Sequence, residues 1–182
     1  DIHAKSEGVM TYSEYAAAAL EAEVVIEAFV QGKQSWWDNK GTFYLQDKDG
    51  GYFVYEMACT EEEYNKLTVG TKVKVTGYKA EWSGEIEIMD AKFEILEGTY
   101  VAEPTDVTAL LGKDELVEKQ NMLVSFSGLT IEKVEYKNGE PGDDIYVTVS
   151  KDGASYDFCV EIHLTGADTD VYKAFADLKQ GD

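Results

Sequence analysis

The feature that most constrains the fold is a series of alternating apolar and polar runs, broken in one place by a helix signal. Residues AEVVIEAFVQ (22–31), TFYLQD (42–47), YFVYEM (52–57), TKVKVTGYKAEW (71–82) and EIEIMDAKFEIL (85–96) repeat with period two, as half-buried strands do. Between the third and fourth lies TEEEYNKL, where Thr60 is followed three positions later by Glu63, a capping-box spacing that predicts one short helix. YSEYAAAALEA (12–22) reads as a further helix ahead of the first strand. The order is strand, strand, strand, helix, strand, strand.

The second half of the chain repeats parts of this order. KDG at 48–50 recurs at 151–153, each time between strand-like runs, as a hairpin turn requires. Val24, Ile26 and Ala28 align with Val124, Phe126 and Gly128, EYAAAAL (14–20) resembles DVTALL (106–111), and Leu67 and Gly70 match Leu178 and Gly181. One register fits badly. Aligning on KDG sets Phe43 and Leu45 against Tyr146 and Thr148, whereas alternation sends Ile145, Val147 and Val149 inward, which calls for a bulge or a slip. On this alignment the second unit stops just before its fourth strand and leaves an open sheet edge. The expected organisation is an N-terminal segment 1–11, a first domain 12–98 with its leader helix, and a second domain 99–182.

Charge narrows the function classes. The chain carries 36 acidic and 16 basic residues, a net charge of −20, and every basic residue is lysine. Phosphate recognition leans on cationic groups and favours the planar fork of arginine, so nucleic acid is disfavoured as a partner. Two cysteines, Cys59 and Cys159, make neither a disulfide scaffold nor a cysteine zinc site. No apolar run reaches the length of a membrane span. Because the first residue is Asp1, any export signal or lipid anchor is expected upstream.

The motifs FYLQDKDGGYFVY (43–55) and VGTKVKVTG (69–77), in the element order above, resemble the OB-fold modules of secreted or lipid-anchored bacterial proteins. That resemblance implies a mostly β chain of two OB-like five-stranded Greek-key barrels with short helices, the second truncated, in an extracellular or surface-anchored location. It also implies a binding surface on the outer face of strands two and three, flanked by the loops between strands one and two and between strands four and five.

Alternation assigns Val24, Ile26, Ala28, Phe43, Leu45, Phe53, Tyr55, Val73, Val75, Ile86 and Ile88 to the first interior, and Thr42, Tyr44, Gln46, Tyr52 and Glu56 to the outer face. Trp36 and Trp37 fall in the first flanking loop and Trp82 in the second. Adjacent residues on an extended chain point to opposite sides, so one of Trp36 and Trp37 faces out. Trp36, Trp37, Tyr44, Tyr52 and Trp82 form the expected ligand-binding set.

Other chemistry is weakly signalled. DKDGG (47–51) begins like a calcium loop but lacks its later ligands and reads as a hairpin turn. Glu61, Glu62 and Glu63 open a helix where they complement its dipole, and Glu85 and Glu87 share a strand face as solvated charges. His3 lies in a loose terminus, and His163 follows Cys159 and Glu161 at alternate positions of a strand without a third partner. No catalytic residue, metal site or cofactor is assigned. The expectation is a non-catalytic module holding an oligosaccharide or protein segment. The alternative is single-stranded nucleic acid, which needs Lys33, Lys40, Lys72, Lys74 and Lys79 gathered beside the aromatic rings.

Overall fold

The computed structural model describes residues 1–182, which divide into two compact units, Asp1–Thr105 with Val117–Val124, and Asp106–Leu116 with Ser125–Asp182. The first unit opens with helix α1 (Tyr12–Ala17) and continues through strands β1 (Glu23–Lys33), β2 (Lys40–Gln46) and β3 (Gly51–Ala58). Helix α2 (Glu61–Lys66) follows, then strands β4 (Thr71–Trp82) and β5 (Glu85–Thr99). The five strands close into a barrel in the order β1-β2-β3-β5-β4. A closed five-stranded barrel of this order, with its helix between β3 and β4, has the OB-fold topology.

The capping boxes are formed at both helices. Thr11 accepts from the Glu14 amide and Thr60 from the Glu63 amide, while each Glu side chain accepts the amide of its own cap. The barrel core contains Val24, Ile26, Ala28, Phe43, Leu45, Val73, Val75 and Ile88, as alternation predicts. Strand β3 departs from it. Tyr52 and Val54 are fully buried in the core, so Phe53 and Tyr55 lie on the opposite, outer side. The cause is the hairpin loop. Asp47 accepts the amides of Asp49 and Gly50 at 2.7 and 2.9 Å, making a four-residue connection from Gln46 to Gly51 that pairs Leu45 with Tyr52.

The second unit does not form a barrel. Its strands β8 (Thr130–Tyr136), β9 (Ile145–Lys151) and β10 (Ala154–Val160) form one sheet in the order β10-β9-β8, while the two-residue strands β6 (Thr105–Asp106) and β7 (Val124–Ser125), which the unit boundaries divide, pair with each other. Helices α3 (Ile162–Thr165) and α4 (Asp170–Ala176) follow. Ile145, Val147 and Val149 do point into the core. The poor register on KDG has a simple origin. Asp152 and Gly153, with φ of 50° and 82°, make a two-residue turn between Lys151 and Ala154, whereas the first KDG belongs to the four-residue loop. The two loops differ in length, so identical letters occupy different positions.

Both histidines differ from expectation. His163 sits in one-turn helix α3, because β10 ends at Val160. His3 is held edge-on to Phe29 and Tyr100, with ring centroids 5.4 and 4.5 Å away. The segment around it is tied down by polar bonds. Lys5 Nζ donates to the Glu27 carbonyl and to Asp47 Oδ2 at 2.6 and 2.7 Å, and the Ser6 amide donates to Glu27 Oε1 at 2.9 Å.

Candidate ligand-binding face

Strands β2 and β3 pair Phe43 with Val54 and Leu45 with Tyr52 on the inner side, and Tyr44 with Phe53 on the outer. The outer side therefore carries a row of rings. Tyr44 and Phe53 are 5.0 Å apart between centroids, and Phe53 and Tyr55 are 6.3 Å apart. Phe53 is 7 % exposed, whereas Tyr44 and Tyr55 are half-buried, so the two tyrosines offer the accessible surface of the row. Gln34 Nε2 donates to the Tyr44 hydroxyl at 3.3 Å and fixes one end.

The tryptophan pair divides as chain direction requires. Trp36 packs against the core and its Nε1 donates to the Cys59 carbonyl at 3.0 Å, so it belongs to the structure of the loop. Trp37 is 61 % exposed. It is held at the foot of a tight turn in which Asp38 and Asn39 have φ of 50° and 55° and Trp37 exchanges backbone hydrogen bonds with Lys40. Trp82, 75 % exposed, ends β4 beside the tight turn Ser83–Gly84, whose φ values of 51° and 90° favour glycine at the second position. Tyr52 is not a surface residue at all. Its hydroxyl donates to Asp47 Oδ2 at 2.8 Å inside the barrel. Of the expected set, Trp37, Tyr44 and Trp82 reach the surface, Trp36 and Tyr52 are structural, and Phe53 and Tyr55 were missed. The signal for the last two was the spelling DKDGG, whose Asp-anchored loop resets the parity of β3.

The lysines do not gather as the alternative required. Lys79 is buried and its ammonium donates to the carbonyls of Tyr15, Ala16 and Ala18 at 3.0, 2.8 and 2.8 Å, closing the exposed end of α1. Burial lowers its pKa, and burial also lowers that of Lys33, which donates to the Tyr64 carbonyl. Lys72 donates to the Ile2 carbonyl, and Lys74 stands in register between Glu27 and Glu94. Lys40 alone of the five borders the ring row. With Lys92 and Tyr55 it lines a cleft of about 330 Å³ that also includes Glu56, Met89 and Asp90.

Carboxylates also enter this region. Burial raises the pKa of Glu87, which is 7 % exposed and lies close enough to Tyr55 to raise the phenol's pKa; there the hydrogen bond to Glu56 acts first. Burial also raises the pKa of Glu85, whose buried Oε1 has no hydrogen-bond partner. A second cleft, of about 530 Å³, lies beside α1 and is lined by Tyr12, Tyr15, Lys79, Ile86 and residues 117–121. The buried Tyr15 hydroxyl has no hydrogen-bond partner there.

No protein-family model matches the chain, and no curated protein matches it. Similar solved structures include the Stn1-Ten1 complex of S. pombe, 17 % identical with a TM-score of 0.36 over 41 % of this chain and 58 % of that one. Another is an asparaginyl-tRNA synthetase of Entamoeba histolytica, 17 % identical with a TM-score of 0.40, of which 25 % is covered by 54 % of this chain. A third is a murine DNA binding protein bound with double-stranded DNA, 10 % identical with a TM-score of 0.41, covering 88 % of this chain and 82 % of that one. The chain thus spans little more than half of the first of these and a quarter of the second. Against the expectation that set an oligosaccharide or protein segment ahead of nucleic acid, the similar structures include complexes with double-stranded DNA.

Proposed function

We propose that the first unit is a non-catalytic binding module that stacks the bases of single-stranded nucleic acid on the outer face of β2 and β3. The observation that carries this reading is the ring row Tyr44–Phe53–Tyr55 on the OB-fold face, with Trp37 and Trp82 exposed on the two flanking loops. Stacking on such rings contributes about 1–3 kcal/mol per base and tolerates any sequence, because every base has a π face. Beside Tyr55 the charges balance, Lys40 meeting Glu56 at 3.6 Å and Lys92 sharing the cleft with Asp90, so this end of the face offers two ammonium groups to a phosphate without a net positive field.

The charge balance shapes how such binding behaves. Most lysines of the first unit are committed to carbonyls or carboxylates, and the chain carries −20 overall, so stacking rather than counterion release drives association. Added salt then screens the repulsion between protein and strand more than it weakens the few phosphate contacts.

The test is a titration of tryptophan fluorescence with a twelve-nucleotide oligothymidylate at about 50 and 300 mM salt. Binding that holds or tightens at the higher salt is expected, with Tyr44→Ala and Tyr55→Ala each weakening it about tenfold. Absence of binding at both salt concentrations, or binding that both substitutions leave unchanged, would overturn the proposal.

A further inference from the structure

The cleft of about 530 Å³ beside α1 lies wholly within the first unit, and its walls are held in place by chain segments that cross one end of the barrel. The Ile86 amide donates to Gln120 Oε1 at 2.9 Å, Asn121 Nδ2 donates to the Ile86 carbonyl at 3.1 Å, and the Leu123 amide donates to Gln46 Oε1 at 2.7 Å. Gly51 lets this segment come close, since a Cβ there would meet the Asn121 carbonyl oxygen at 2.2 Å. The volume falls in the range of roughly 300–1,000 Å³ that small-molecule sites occupy.

Two polar groups at this cleft have no partner within the protein. Tyr15 forms part of the wall and is 3 % exposed, yet its hydroxyl makes no hydrogen bond. Glu85, next to the wall residue Ile86, has a buried Oε1 in the same condition. Burial, then Tyr12, then Glu85 and Glu87 raise the pKa of the Tyr15 phenol, which puts both carboxylates within electrostatic reach of it. Lys79 cannot supply the missing bond, because its three protons go to the carbonyls of Tyr15, Ala16 and Ala18. An unpaired buried oxygen is destabilising, so each of the two calls for a donor from outside the chain.

The chemistry of that donor follows from its surroundings. A carboxylate only accepts, so the group that meets Glu85 must donate. Asp49, Glu118, Glu85 and Glu87 outnumber the ammonium groups of Lys79 and Lys119 there, and a chain of net charge −20 attracts cations from a distance. The rings of Tyr12 and Tyr15, with centroids 6.2 Å apart, join Ile86 and Val117 in an apolar and aromatic wall. We propose that this cleft binds an arylalkylamine, its ammonium donating to Glu85 Oε1 and to the Tyr15 hydroxyl and its ring lying against Tyr12 and Ile86. None of Tyr44, Phe53 and Tyr55 lines the cleft, so amine binding is independent of base stacking on β2 and β3.

The test is a titration of the full chain with phenethylamine to about 10 mM near neutral pH, followed by amide chemical shifts in NMR. Phenethyl alcohol serves as the neutral isostere and butylamine as a cation without a ring. Saturable shifts centred on residues 12–16, 86 and 117–121 are expected, with phenethylamine bound about tenfold more tightly than either comparison compound. Tyr15→Phe removes an unpaired hydroxyl, so the urea midpoint should hold or rise while amine affinity falls about fivefold. Glu85→Gln should erase the preference for the amine over the alcohol. The proposal is overturned by the absence of saturable binding, by equal binding of the alcohol or of butylamine at the same amides, or by amine affinity that both substitutions leave unchanged. A lowered urea midpoint in Tyr15→Phe would count against it too, since the hydroxyl would then have a partner within the protein.

Discussion

The two units begin alike and diverge in how completely they bury their strands. The first closes five strands around sixteen buried residues, including Tyr15, Tyr52, Phe43 and Ile88. The second stacks three strands against α4 with five buried residues at the centre and a wide margin of half-covered side chains. The difference lies not in strand propensity, since β9 is as rich in β-branched residues as β1. It lies in the two strands that in the first unit cover the second half of the core.

The hairpin tyrosines give the sharpest way to break this comparison. By register, Tyr52 opposes Leu45 next to the end of its ladder, and Tyr156 opposes Val149 two pairs from its turn; both face the core. Tyr52 is fully buried and donates to Asp47, so Tyr52→Ala should destabilise the first unit by about 4 kcal/mol. Tyr156 is only half-buried, and Tyr156→Ala should cost the second unit about 1 kcal/mol. All three tryptophans lie in the first unit, so a urea transition followed by indole fluorescence isolates that unit and amide exchange reads the other. Equal costs at the two positions would refute the view that closure sets the difference.

A smaller effect separates the ion pairs. Lys5 and Asp47 meet at 2.7 Å with Asp47 1 % exposed, whereas Lys133 and Glu135 meet at 3.3 Å with more than half of each side chain in solvent. Burial alone would raise the pKa of Asp47, but hydrogen bonds from Lys5, the Asp49 amide and Tyr52 outweigh it and hold the carboxyl below its ordinary value. A carboxylate whose folded pKa is depressed contributes stability that is complete above its unfolded value of about 3.9 and is lost as pH falls through the lower folded value. Asp47→Asn should therefore cost the first unit about 3 kcal/mol at pH 7, a difference that shrinks as the medium is acidified below about pH 4. Lys133→Ala should change the second unit by about 0.5 kcal/mol or less, and 1 M salt should remove what remains. Urea midpoints for both variants at pH 7 and pH 3 check the sign.

Much of the first unit was legible because its strands are amphipathic and its helices are spelled with caps. Val24, Ile26, Ala28, Phe43 and Leu45 lie where period two puts them, and Thr60 and Glu63 cap as their spacing requires. β3 was not legible in the same way. Its residues Tyr52, Phe53, Val54 and Tyr55 are apolar or aromatic on both faces, so parity rested on the length of the preceding loop, which Asp47 decides through two backbone amides. The site inherited that error and exchanged Tyr52 for Phe53 and Tyr55. The second barrel was misread for another reason. Local turns and caps recur there, but barrel closure is a long-range property that depends on strands pairing across the sheet. Trp36 and Trp37 could be divided but not assigned from sequence, because the Cys59 carbonyl that receives Trp36 lies 23 residues away.

The smallest effect concerns the loop tryptophans, which belong to the closed unit but take no part in closing it. Trp37 and Trp82 are 61 % and 75 % exposed and neither makes a ring contact, so Trp37→Ala and Trp82→Ala should each change stability by about 0.5 kcal/mol or less. Trp36→Ala removes a ring packed on the core and a hydrogen bond to Cys59, and should cost about 2 kcal/mol. Acrylamide should quench the emission lost in the first two variants more strongly than what remains in the double variant Trp37→Ala, Trp82→Ala, where only the partly buried Trp36 emits. Indoles exposed on a scaffold whose other aromatic rings are mostly packed are free to meet a ligand, and neutrality of their loss toward folding is the outcome the proposed ligand face expects. If either substitution destabilised the barrel as much as Trp36→Ala, that ring would be part of the wall and the ligand face would shrink to Tyr44 and Tyr55.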